Sequence, residues 1–424
     1  MGTHNNMISV VGQFGGTATF GSDVIVAQGF SDIYVARQND HNTWNWSRRT
    51  GSNGSDEATS IVQLPNGNLA VTGSFAGVMN LSVDTLISRG NQDAYLAMMS
   101  PTGNWLWGQS MGGPGYDLSY SVDATPTGNV IIAGQFSDSL IIGASRLRSA
   151  GRSDVMLAMA SGDGNWLWAK RAGGIGEDRA YCISASNNNR IAVTGSFFNT
   201  VNFGTTSITS VGLSDVFIGV MDLNGNWQTI RQGGGLGNDA GEFITNNPDG
   251  SLVISGTYRE SARFGTMQAL TNSNSRDSFV VHLTPTGDWS WIQAFGSTGA
   301  NYANTISVSS GRLYVGGASG GQLDLAGLST IAQGGFVASF LLPVFPVAIQ
   351  AGLTVSPLMV YPSPATGPFR IKGLETGIPY QVIDINGKIV KEAVTNNATL
   401  QNSPLRQGTY TLRQGSRRTR FVQL

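Results

Sequence analysis

A fixed internal period constrains this chain more than any other feature. The glycine closing each Val-Thr-Gly-type run falls at Gly12, Gly73, Gly134, Gly195, Gly256 and Gly317, a constant 61-residue step. Trp pairs keep the same step at Trp44/Trp46, Trp105/Trp107 and Trp166/Trp168. Trp227 follows with Thr229 in its partner's place, and Trp289/Trp291 come one residue late. Asp32, Asp93, Asp154 and Asp215 share the step and Asp277 also comes one residue late, so a single inserted residue sits between Gly256 and Asp277. Such a period marks a row of like supersecondary units, none of which can bury its apolar face alone.

Each unit reads as β-structure. Runs such as Leu69-Ala70-Val71-Thr72-Gly73 are short, carry β-branched residues and are bounded by Asn-Gly punctuation. No helical period of useful length appears. About four strands and one less regular stretch, such as 201–210, fit into each unit. Four-stranded sheets at a fixed period predict a β-propeller; a β-solenoid is the alternative, but its coils are shorter. The fold class expected is all-β, a six-bladed propeller over residues 1–342.

Asn5-Asn6-Met7-Ile8 aligns with Asn66-Gly67-Asn68-Leu69, so the repeat is already under way there. Counting strands gives 22 where six blades of four need 24. The two missing ones, a Trp strand and a Ser-Ile strand, are expected upstream of residue 1. With them the natural protein would carry a signal peptide, since Met1 to Phe20 has no basic start followed by an apolar run.

Composition sets the remaining bounds. With 57 glycines but 40% hydrophobic residues, the chain is turn-rich and still able to build a core. No apolar run reaches the roughly 18 residues of a membrane-spanning helix. Net charge is −7 over 1–342 and +6 over 343–424; an acidic body argues against nucleic acid, which needs a basic face. The single Cys182 excludes an internal disulfide framework and reads as a core thiol. His4, His41 and His282 lack metal-ligand spacing.

The composition shifts after residue 342. Residues 343–356, with Pro343 and Pro346, read as a linker, and 357–424 as a small β-sandwich of short strands. The motifs in that tail are Tyr361-Pro362-Ser363-Pro364, Phe369 with Ile371, Asp384-Ile385-Asn386-Gly387-Lys388, and Leu405 to Tyr410 with Gly408. In these the tail resembles the type A C-terminal sorting domain of the type IX (Por) secretion system of Bacteroidetes, with Ser363 where Asn is usual. The resemblance implies Tyr361, Pro362, Pro364, Asp384, Gly387, Lys388, Gly408 and Tyr410 as sorting-motif residues. It also implies the type IX machinery as partner, export across the outer membrane and removal of the tail. The 61-residue unit resembles, more loosely, the bacterial β-propeller repeats found ahead of such tails, which imply a fold and no single activity.

Several constellations recur. The Trp-x-Trp pairs are expected on one strand face, packing neighbouring blades together, with sugar stacking as the competing role. Gly-Gly-x-Gly-x-Asp loops end in Asp117, Asp178 and Asp239, more loosely in Asp56, and in Asn301 in the fifth copy. Asp or Asn there is expected to bond its own loop amides. Calcium at Asp56, Asp117, Asp178 and Asp239 is the sharper alternative, although one carboxylate per loop falls short of six to eight oxygens. Asp32, Asp93, Asp154, Asp215 and Asp277 open strands and are expected to cap turns; an incomplete cation-binding ring is the alternative. Glu57, Glu177, Glu242, Arg179, Arg259, Glu260 and Arg263 break the repeat, and solvation accounts for all of them.

The sequence therefore favours a secreted or surface-displayed propeller that binds a glycan or protein ligand without covalent chemistry. A carbohydrate-active enzyme with paired carboxylates and a passive surface-structural protein are the competing readings. No catalytic residue is assigned and no cofactor is required.

Overall fold

The computed structural model describes residues 2–4, 7–39, 41–270, 275–296, 299–309, 311–321, 324–325, 328–329 and 334–341 of the first unit. It further describes 359–361, 369–372, 379–384, 388–394, 399–402, 408–414 and 417–423. The chain divides into two compact units, 1–342 and 343–424. All regular structure among the described residues is strand.

The first unit is a β-propeller of six antiparallel sheets. The second sheet shows the plan. Its inner strand Glu57–Gln63 pairs with Leu69–Phe75, that with Asp93–Met99, and that with the outer strand Trp105–Met111. The third sheet repeats it from Asp117–Ala124 to Trp166–Gly174, the fourth from Arg179–Ala185 to Trp227–Gly233, and the fifth from Ala240–Asn246 to Trp289–Phe295. In the sixth, Asn301–Ser309, Arg312–Ser319 and Gly334–Leu341 form three strands. The first sheet corrects the strand count: Gly2–His4 pairs with Met7–Phe14 and occupies the inner position expected to lie upstream. Inner strands of successive sheets pack side by side from first to sixth.

A β-bulge explains the glycine that defines the period. The inner strand of the second sheet shifts register between Ala58 and Ser60, and the third, fourth and fifth shift at Ser119/Ser121, Ala180/Cys182 and Gly241/Phe243. The bulge drives a carbonyl against the next strand. A Cβ at Gly73, Gly134, Gly195 or Gly256 would stand 2.0 Å or less from the carbonyl oxygen of Glu57, Leu118, Arg179 or Ala240. Any side chain there would expel the bulge.

The less regular stretch of each unit is a regular two-stranded hairpin. Ser139–Ile142 pairs with Ser145–Arg148, and Ser261–Phe264 with Met267–Leu270. Each hairpin reaches back to the preceding sheet: Gly112 bridges Ile141, Gly173 pairs Asn202, and Gly234 bridges Arg263. Thr50 Oγ1 donates to the Asn80 carbonyl at 2.8 Å in the same sense.

The Trp pairs do not share a face, contrary to expectation. Trp107 pairs Met98 and Trp105 pairs Met99, with a register shift between them. Neighbouring residues of a strand point to opposite faces, so the two indoles do too. Trp105 belongs to a core cluster with Leu81 and Leu86 of its own hairpin and Ile33 and Val35 of the first sheet. Trp107 packs forward with Leu140 and Ile142 of the third sheet. The forward indole also donates a hydrogen bond into a turn of the next sheet: Trp46 to Pro101 O at 3.2 Å, Trp107 to Gly162 O at 3.0 Å, Trp168 to Leu223 O at 2.8 Å. Thr229 cannot do this, and Arg231 Nε reaches Gly287 O at 2.7 Å instead. The expected packing between blades is present, and two-faced rings achieve it.

In the second unit Met359–Tyr361, Phe369–Lys372 and Thr399–Asn402 form one antiparallel sheet. Pro379–Asp384, Ile389–Val394, Gly408–Gln414 and Arg417–Gln423 form another, with Tyr380 and Val382 buried. Tyr361, Asp384, Gly408 and Tyr410 stand in these strands and Lys388 is exposed. Pro362, Pro364, Gly387 and the 343–356 linker lie outside the described residues.

Candidate functional site

Two kinds of position separate on the inner strands. One kind repeats: Ile61, Val122, Ile183, Ile244 and Ile306 are all aliphatic and buried. The other does not. The residue after each loop Asp or Asn is Glu57, Leu118, Arg179, Ala240 or Tyr302, and the bulged residue is Thr59, Tyr120, Tyr181, Glu242 or Asn304. The bulge withdraws this last residue from strand pairing.

In the fourth to sixth sheets these positions meet in a cavity of about 510 Å³. Its lining includes Glu177, Arg179, Tyr181, Glu242, Phe243, Thr257, Arg276 and Asn304. Arg179 Nη2 donates to Glu177 Oε2 at 2.8 Å, and the Tyr120 and Tyr181 rings pack 5.4 Å apart. Glu242 Oε1 accepts from Thr257 Oγ1 at 3.0 Å. Burial pushes the Glu242 carboxyl up, with the Thr257 hydroxyl and the Arg276 charge opposing. The Arg276 guanidinium lies 5.7 Å from the Tyr302 ring centroid.

Of the symmetry-breaking residues read from sequence, Glu177, Arg179 and Glu242 come together here. Glu57 holds the Arg179 position in the second sheet, where it accepts from Ser74 Oγ at 3.2 Å. Arg259, Glu260 and Arg263 are exposed at the hairpin of the fifth sheet. Tyr181, Arg276 and Asn304 escaped sequence reading. Tyr120, Tyr181 and Glu242 stand three residues after their loop Asp, and that column of the repeat carries the signal.

The two aspartate series form pairs at a constant offset: 93/117, 154/178 and 215/239. All six are buried. Asp117 accepts Gly113 N at 2.7 Å, Asp178 accepts Gly174 N at 2.8 Å and Phe198 N at 3.1 Å, and Asp239 accepts Gly235 N at 2.6 Å and Arg259 N at 3.0 Å. Asp56 likewise takes the Ser52 hydroxyl at 2.9 Å and Ala76 N at 3.1 Å. The strand aspartates cap their own turns, Asp154 from Ala150 N at 3.1 Å and Asp215 from Val211 N at 3.0 Å. A Cβ at Gly234 would meet Asp215 Oδ1 at 2.6 Å and Asp239 Oδ2 at 3.0 Å, so both carboxylates flank one point and only glycine fits between. Burial pushes Asp117, Asp178 and Asp239 up to about 7, with loop amides opposing and the facing aspartate adding to the rise. In the last pair Asn301 Nδ2 donates to Asp277 Oδ1 at 3.1 Å.

Amide N–H groups surround the loop carboxylates, and among the described residues no three His, Cys, Asp or Glu side chains gather as a metal site. Cys182 is buried and its thiol is pushed up to about 11 by burial.

Residues 359–423 match the family described as the secretion-system C-terminal sorting domain. The tail is thus a sorting domain of the type IX system, marking the chain for secretion or cell-surface display. No curated protein matches the chain in sequence. Among solved structures, a protein of unknown function from Bacteroides caccae is 11% identical, covering 72% of this chain and 81% of its own at a TM-score of 0.36. An ulvan lyase, described as a new polysaccharide lyase family, is 10% identical, covering 77% and 81% at 0.43. The Neurospora crassa Pan2 WD40 domain is 10% identical, covering 74% and 83% at 0.32. At those scores the likenesses carry no activity or ligand over to this chain.

Proposed function

We propose that the propeller is an extracellular binding module that holds its ligand non-covalently in the cavity of the fourth to sixth sheets. One observation carries this reading. The repeat is kept at the buried aliphatic position of the inner strands and lapses at two positions beside it, where Arg179, Tyr181 and Glu242 stand among unlike counterparts. Packing does not require that variation, and a ligand would. The export tail agrees with it by taking the module outside the cell.

The ion pairs and hydrogen bonds of the cavity hold its side chains in place, as suits recognition by a preformed site. A glycan array and an extracellular-protein array, screened with the full-length chain, test the reading. A ligand found there is expected to bind at least tenfold more weakly to Tyr181→Ala and Glu242→Gln, with melting temperatures near that of the parent. A ligand retained at full affinity by both variants places binding elsewhere and removes the cavity from the function.

A further inference from the structure

Resting on the cavity as the seat of binding, we infer that it takes a neutral saccharide, recognised by its vicinal hydroxyls and by the C–H face of its ring. The charges decide against an ionic ligand. Glu177 is paired with Arg179, and Glu242 is faced by Arg276. An anionic ligand would meet Glu177 and Glu242, and a cationic one the two guanidiniums. Asp239 also lines the cavity, but both its oxygens already accept backbone N–H groups, so the side chains left to face a ligand are balanced in sign.

The hydrogen-bond inventory decides against an apolar one. Arg179 and Arg276 both bring guanidinium groups to the lining, and covering such donors with an apolar group is costly. Ser196, Ser214 and Asn238 add further polar groups to the same wall. A hydroxyl can both accept from a guanidinium and donate to a carboxylate, and adjacent hydroxyls match the spacing of an arginine–carboxylate pair. Tyr181 lines the same wall, with Tyr120 packed against its ring. A pyranose offers its C–H face to such a ring and its hydroxyls to the charged groups beside it. The cavity volume of about 510 Å³ falls within the range of small-ligand sites.

The experiment is isothermal titration of the full-length chain with maltose, cellobiose, lactose and mannobiose, and in parallel with digalacturonate and a sulfated disaccharide. At least one neutral disaccharide is expected to bind tenfold or more tightly than either charged one. Tyr181→Ala and Arg276→Met are expected to weaken that binding about tenfold or more, and Tyr181→Phe, which keeps the ring and guards against a folding defect, by less than threefold. If a charged disaccharide binds best and Tyr181→Ala still abolishes it, the neutral class is wrong while the cavity stands as the seat. Binding indifferent to Tyr181→Ala and Arg276→Met overturns both. No binding by any neutral disaccharide overturns the inference, and the broader arrays then judge the cavity alone.

Discussion

Two carboxyl groups buried side by side cannot both ionise cheaply. The pairs 93/117, 154/178 and 215/239 answer this in different ways. Arg171 lies 3.2 Å from Asp154 and Arg89 3.8 Å from Asp93, whereas Asp215 has no ion pair among the described residues. Asn301 shows the uncharged solution, an amide N–H donated to Asp277 where the other joints carry a second acid. A protonated Asp239 would present the same kind of donor to Asp215. The sign of the pH dependence follows. Asp117, Asp178 and Asp239 titrate near 7 in the folded chain, well above the roughly 3.9 of an unfolded aspartate. The folded state therefore holds more protons, so their stabilisation is full below about pH 4 and is lost as pH rises through about 7. The melting temperature is expected to be lower at pH 8.5 than at pH 6. Asp239→Asn should flatten that slope, at the cost of one of the two backbone N–H bonds that its carboxylate accepts. A thermal scan with the same midpoint at both pH values would show the pairs to be ionised throughout. The constant offset between the two series stands in the sequence. It was not legible as contact, because each series by itself already has a turn to cap.

At the scale of elements, the Trp strand shows what a period can and cannot reveal. Trp-x-Trp spacing looks identical whether the strand is flat or bulged, and the register shift at Met98/Met99 alone sends the rings to opposite sides. The favoured packing role was therefore legible, and the geometry was not. The glycine of the Val-Thr-Gly run behaves likewise. The recurrence of Gly73 was plain, while its cause, a carbonyl thrust forward by the neighbouring strand, lies well upstream at Glu57. Trp168→Phe keeps an aromatic ring at this partly buried position and removes the bond to Leu223, so it should cost about 1 kcal/mol. Trp168→Ala should cost about 3–5 kcal/mol through the cavity it leaves. Urea unfolding of both variants checks this, and equal losses for the two would assign the residue's whole worth to the hydrogen bond.

At the scale of the molecule, the two units serve different ends. Six-fold repetition and the composition shift beyond residue 342 were both readable from sequence, as were the ordered motifs of the sorting tail. The strand at Gly2–His4 was not, since three residues carry no period. Because the tail is the element that marks export, a chain shortened to end at residue 358 is expected to remain inside the cell envelope. The parent should reach the medium or the cell surface. Fractionation and immunoblotting separate the cases, and equal amounts outside would relieve the tail of that role.

The bulged residue of each inner strand has one further consequence. It is excused from strand pairing, and in Tyr120, Tyr181 and Glu242 its identity changes while the aliphatic residue two places on does not. On the proposed reading, heredity can edit the ligand without consulting the fold. Copying a unit supplies a new blade with its joints ready-made, and a handful of codons would then decide what the copy recognises.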